Sequence, residues 1–89
     1  MKAVITVTGK DTVGIIADVS AVCASRGANI REITQNVLGE YFAMIMIAEL
    51  DGLTVPFADF ADELAALGRS KNLDIHTMHE DIFNTMHHI

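Results

Sequence analysis

The stretch Tyr41-Phe42-Ala43-Met44-Ile45-Met46-Ile47-Ala48-Glu49-Leu50 holds a single charged residue. Extended, it sends Phe42, Met44, Met46 and Leu50 to one face and Tyr41, Ala43, Ile45 and Ile47 to the other. A strand that is apolar on both faces belongs in the middle of a sheet with cover on each side. For an 89-residue chain this is a demanding requirement, because a domain of this size buries only about 60–65% of its unfolded surface.

The flanking segments supply partners. Ala3 to Thr8 is β-branched and reads as a buried strand. Gly9 to Gly14 breaks it, and from Ile15 the apolar spacing turns helical, with Ile15, Val19, Val22 and Cys23 on one face. Asp11 or Thr12 is the expected N-cap and Gly27 the expected left-handed terminator. Asn29 to Leu38 reads as a second strand whose uneven apolar spacing predicts a bulge near Ile33 to Gln35. Gly39-Glu40 then makes a two-residue hairpin of type II′, with Gly first.

After the turn at Asp51-Gly52, Thr54 is the expected cap of a second helix, with Pro56 in its first turn. The stripe Phe57, Phe60, Leu64, Leu67 carries this helix to about Gly68. Leu73 to about His79 is a fourth strand. The tail, Glu80 to Ile89, spaces Ile82, Phe83, Met86 and Ile89 as a short amphipathic helix.

This order is βαββαβ plus a terminal helix. Right-handed crossovers fold it into an α+β, ferredoxin-like sandwich: a four-stranded antiparallel sheet with both main helices on one face. It forms one unit, residues 1–89, with a core over 2–79 and a tail over 80–89. Two helices cover one face of the third strand, so a second subunit or the tail must cover the other. A mean hydropathy of +0.34 in so short a chain points the same way. A homodimer or larger homo-oligomer is therefore expected.

Charge excludes other classes. Six Lys and Arg stand against twelve Asp and Glu, for a formal charge of −6, the wrong balance for neutralising phosphates, so no nucleic acid is expected. No apolar run reaches the roughly 18 residues of a membrane span. The N-terminus lacks a signal-peptide pattern, and the single Cys23 cannot form an internal disulfide, so a cytoplasmic location is expected.

The stretch Gly9-Lys10-Asp11-Thr12-Val13-Gly14-Ile15, continued by Gly27-Ala28-Asn29-Ile30, carries the functional argument. A strand, then D-x-x-G-I opening a helix, then G-x-N-I opening the next strand, resembles the recurring pattern of ACT domains over residues 2 to about 79. Glu40-Tyr41-Phe42 and the tail spacing are similar to a bacterial family of small stand-alone ACT proteins without an assigned function. The resemblance implies a loop that wraps a small ligand, often at a dimer interface. Backbone N–H groups at the helix start receive a carboxylate there. Gly9, Lys10, Asp11, Thr12, Val13, Gly14, Ile15, Asn29 and Ile30 are the implied ligand-binding residues, with Asp11 and Asn29 at its polar positions. Many binding members have Pro where this chain has Val13. The carboxylate of Asp11 favours an amino acid or similar zwitterion over a purely anionic ligand.

Each of these residues also has a structural role open to it: Asp11 as a cap, Gly14 for close helix packing, Asn29 as a turn former. Accordingly, a ligand-free dimerisation or protein-interaction module stands beside the sensor reading, and a protein partner fits both. No catalytic residues are expected, since the loop has Lys10 but no Arg for an acyl phosphate and no nucleophile beside a base. His76, His79, His87 and His88 lack the H-x-x-x-H spacing of a shared metal and read as solvent-exposed. No metal or cofactor is expected. Cys23 and the five Met residues read as packing, and Asp59, Asp62 and Glu63 as a solvated helix face.

Overall fold

The computed structural model describes residues 1–10 and 13–86. Its elements run β1 (Lys2–Lys10), α1 (Ile15–Ser25), β2 (Asn29–Leu38), β3 (Tyr41–Glu49), α2 (Phe57–Ser70), β4 (Asp74–His79) and α3 (Glu80–Met86). The sheet order is β2-β3-β1-β4, every neighbouring pair antiparallel. The twice-apolar strand β3 is thus internal, as its composition demands.

One face of the sheet is closed by α1 and α2. Ala3, Ile5 and Val7 of β1, Phe42, Met44, Met46 and Ala48 of β3, and Ile75 of β4 meet Ile15, Val19 and Cys23 of α1 and Phe60 and Leu64 of α2. All are buried. At ~1.5–3 kcal/mol for each large apolar side chain, this layer is the main source of stability. Both helices end in a Schellman arrangement. After α1, the Ala28 amide donates to the Cys23 carbonyl (2.9 Å) and Gly27 to Ala24 (3.3 Å). After α2, Leu73 donates to Gly68 (2.8 Å) and Asn72 to Arg69 (3.4 Å), with Asn72 taking the left-handed position at φ 57°.

The opposite face grades from covered to bare. On β1, Val4 is 3% exposed, Thr6 is half-buried and Thr8 is exposed. On β3, Ile47 is half-buried, while Ile45 and Tyr41 are 43% and 60% exposed. The cover over Val4 and the half-buried Met78 is α3, which touches β1 and β4. Nothing among the described residues roofs the other end of this face.

Several expectations need correction. β1 runs on through Gly9 and Lys10, which pair with Phe42 and Tyr41. Gly9 acts there as a space-maker and not as a breaker, since a Cβ on it would run into the Leu73 side chain. The bulge of β2 falls between Ile30 and Glu32, not near Ile33 to Gln35. Position 14 caps α1 with no side-chain hydrogen bond, and Asp11 and Thr12, the expected caps, lie outside the described residues. Pro56, not Thr54, occupies the cap of α2. Thr54 instead gives its amide (2.9 Å) and hydroxyl (3.2 Å) to the Arg26 carbonyl at the end of α1. The hairpin is as expected: Gly39 is left-handed at φ 63°, Glu40 is not, and Leu38 pairs with Tyr41. In the tail, Phe83 is half-buried and Ile82 53% exposed, while Ile89, the last residue of the expected stripe, lies outside the described residues.

Candidate functional site

The loop between β1 and α1 begins where the sheet stops. Lys10 closes β1 opposite Tyr41, its Nζ 3.9 Å from Oε1 of Glu40 in the hairpin turn. Beyond the undescribed Asp11 and Thr12, Val13 is 96% exposed. Gly14 is left-handed at φ 84°, and a Cβ placed on it would meet none of the described residues within 4 Å. Gly14 is therefore not kept for close packing of helix on sheet. It is kept for its backbone angle, which turns the chain into the open N-terminus of α1. Ile15 follows immediately and is 3% exposed, anchoring the helix start in the core.

Asn29 and Ile30 lie elsewhere. Asn29 pairs with Glu49, which pairs in turn with Lys2, so Asn29 sits at the start-of-β1 end of the sheet. The loop springs from Lys10, eight positions along β1, a separation of roughly 26 Å at about 3.3 Å per residue. Asn29 is exposed, and Ile30 is half-buried against the core. Within one chain the two halves of the expected site do not meet.

A feature not read from the sequence lies on the bare end of the sheet. Thr8, Gly9, Asn36, Leu38, Tyr41, Phe42 and Ala43 line a depression of about 240 Å³. Leu38 (70% exposed) and Tyr41 (60%) stand beside it. Its only trace in the sequence is the second apolar face of strand three; the convergence of three strands supplies the rest. Gly9 lines this depression from within β1, one residue ahead of the strand's end at the loop.

The remaining candidates are structural. Cys23 is buried among core side chains, and burial pushes its thiol up to about 11, which removes it as a nucleophile at neutral pH. His76 is exposed, 3.1 Å from a carboxylate oxygen of Asp74. His79 departs from expectation: it is half-buried and stacks on Phe57 with ring centroids 4.4 Å apart. His87 and His88 lie outside the described residues. Among the described residues, no three His, Cys, Asp or Glu side chains are grouped to hold a metal. Glu63 of the acidic helix face is not merely solvated, for it takes hydrogen bonds from Arg26 at 2.8 and 3.4 Å and holds that guanidinium above its ordinary pKa. No described helix is long and apolar enough to cross a membrane.

Comparison with known proteins adds to this geometry. A family model described as ACT domain matches residues 2–79. A UPF0237 protein of Clostridium acetobutylicum is 44% identical, the match covering all of both chains. One from Methanopyrus kandleri is 39% identical over 99% of this chain and 98% of its own. Among solved structures, an ACT domain protein from Streptococcus pneumoniae superposes with a TM-score of 0.80 at 42% identity, covering 93% of each chain. With sheet order, helix placement and family model in agreement, the chain belongs to the ACT-domain family.

Proposed function

We propose that this protein is a homo-oligomeric sensor that binds an amino acid or similar zwitterion at the loop 9–15. ACT domains are in general regulatory domains that bind small ligands and often oligomerise. The observation that carries the reading is Gly14. A glycine held for its backbone angle, with no described residue packed over it and Val13 standing in solvent, leaves the helix N-terminus approachable. A ligand carboxylate there meets backbone N–H groups and the positive end of α1. The Asp11 carboxylate supplies the complementary charge for an ammonium group.

Asn29 and Ile30 join this site only from a second copy. Two chains related by a two-fold axis, running antiparallel along their exposed β2 strands, bring the Asn29 end of one beside the Gly14 end of the other. The half-exposed Ile33 and Val37 on β2 give that edge an apolar margin. The sensor passes its signal to a protein partner in the cytoplasm.

Calorimetry and thermal-shift screening of the amino acids test the proposal. Saturable binding with a raised Tm is expected, lost in Gly14→Asp and in Asn29→Ala with the circular dichroism spectrum kept. The absence of any binder at millimolar concentration overturns it. One observation favours a second reading, a ligand-free interaction module: the depression at Leu38 and Tyr41 is lined mainly by carbon and suits a protein surface better than a zwitterion. On that reading both substitutions change assembly and no amino acid binds.

A further inference from the structure

We infer that the bare end of the open sheet face is a contact between copies of this chain. There Leu38 and Tyr41 of one copy seat against the depression of the other. The inference deepens the homo-oligomer proposed above and rests on that reading of a self-associating chain. It assigns a different surface from the β2 edge that unites Gly14 with Asn29.

The alternation of the strands separates the two surfaces. Ile33 and Val37 pair with Met46 and Phe42 and point to the helix side of the sheet. Leu38 pairs with Tyr41, and Thr34 with Ile45, all on the opposite side. Edge pairing along β2 therefore leaves Leu38, Tyr41 and Ile45 in water. They are 70%, 60% and 43% exposed and form one patch with Ala43 beside the depression. An apolar patch on the order of 300 Å² or more commonly marks an interaction site. The polar side chains of Thr8, Thr34 and Asn36 lie on the same face around this patch, the arrangement of an apolar interface centre with a polar rim.

Charge selects the occupant. The four strands and the hairpin turn carry Lys2, Lys10 and Arg31 against Glu32, Glu40, Glu49 and Asp74, the last opposite Thr8 at the bare end. Three bases against four acids leave the sheet at a formal −1, and two of the acids are paired, Glu40 with Lys10 and Glu49 with Arg31 at 3.6 Å. Five of the six net negative charges lie elsewhere on the chain. Two copies so charged repel each other through most orientations, and this face is where they approach with the least of that cost. A basic partner would be drawn to the acidic remainder of the surface instead.

Shape sets the geometry. α3 stands on the same face over Val4 and Met78, so two copies cannot stack flush. They meet offset, hairpin end to hairpin end, with each α3 outside the contact. A two-fold axis presents the same patch from both sides, and a patch holding both a knob (Leu38) and a hollow is able to complement itself.

Light scattering on the full chain at micromolar concentration tests this, with wild type compared to the double variant Leu38→Glu, Tyr41→Glu and to Val37→Glu. The double variant is expected to halve the mass of the assembly. If the edge pairing fails but this face holds, wild type contains two copies and the double variant is a single 9.7 kDa chain. If the edge holds and this face does not, the double variant keeps the wild-type mass while Val37→Glu lowers it, and the inference is overturned. A wild type that is itself a single chain also overturns it. Wild type carries its own probe, because Tyr41 is the only tyrosine and there is no tryptophan. Tyrosine fluorescence should become several-fold more open to iodide quenching as dilution lowers the mass; quenching that stays constant through dissociation counts against the contact, whether or not a variant folds.

Discussion

At the N-terminal end of α1, Gly14 has φ 84° and a Cβ on it would meet none of the described residues within 4 Å; at the C-terminal end, Gly27 has φ 79° and a Cβ on it would run into the Gly52 carbonyl. Their backbones are nearly alike, and their surroundings are opposite. Around Gly27 the turn at Thr54 is hydrogen-bonded to the Arg26 carbonyl, and Arg26 reaches Glu63 of α2. Among the described residues nothing comparable is packed over Gly14. One end of the helix is fastened to the domain and the other is left accessible. A regulatory domain needs both, a rigid frame and a backbone that a ligand can reach.

Substitution of the two glycines tests this contrast. Gly27→Ala has the largest expected effect, since the new methyl meets a backbone carbonyl and the left-handed angle is strained as well. A cost of about 3 kcal/mol or more is expected, lowering Tm by roughly 12 °C or more. A Tm within a few degrees of wild type would break the comparison. Gly14→Ala carries only the backbone term, about 1–2 kcal/mol, or roughly 4–16 °C in Tm. Should it prove as damaging as Gly27→Ala, the open end of the helix is packed after all. The smallest effect belongs to the tie near the open end, where Lys71 Nζ lies 2.9 Å from an Asp18 carboxylate oxygen, both side chains about one-third to two-fifths exposed. Lys71→Gln is expected to cost less than about 1 kcal/mol, and the difference from wild type should shrink in added salt.

Much of the frame was legible from residues alone. The turn chemistry of Gly39-Glu40, the left-handed terminator at Gly27 and the apolar stripes of α1 and α2 depend on local geometry, which short-range spacing records. Legibility failed where tertiary contacts decided the outcome. Gly9 reads as a strand breaker but makes room for Leu73, sixty-four positions away. Thr54 reads as a cap but is taken by Arg26. The bulge at Arg31 lies on an edge strand exposed along nearly its whole length, where apolar alternation carries little register information. For the site, Gly14 was readable as a motif position, but its left-handed angle was not, since the sequence suggested close helix packing there. Nor was the separation of Asn29, because motif residues close in pattern are carried apart by the length of the sheet. The depression was least visible, being formed by the ends of three strands.

The position of Cys23 has a practical meaning beyond packing. It lies on the stripe Ile15, Val19, Cys23 that holds α1 to the sheet, fully buried. A reagent that seeks the thiolate finds neither access nor the ionised form until the helix lifts away. The molecule thus has a built-in clock for α1: the rate at which Cys23 is trapped counts the openings of the one helix whose free end receives the proposed ligand.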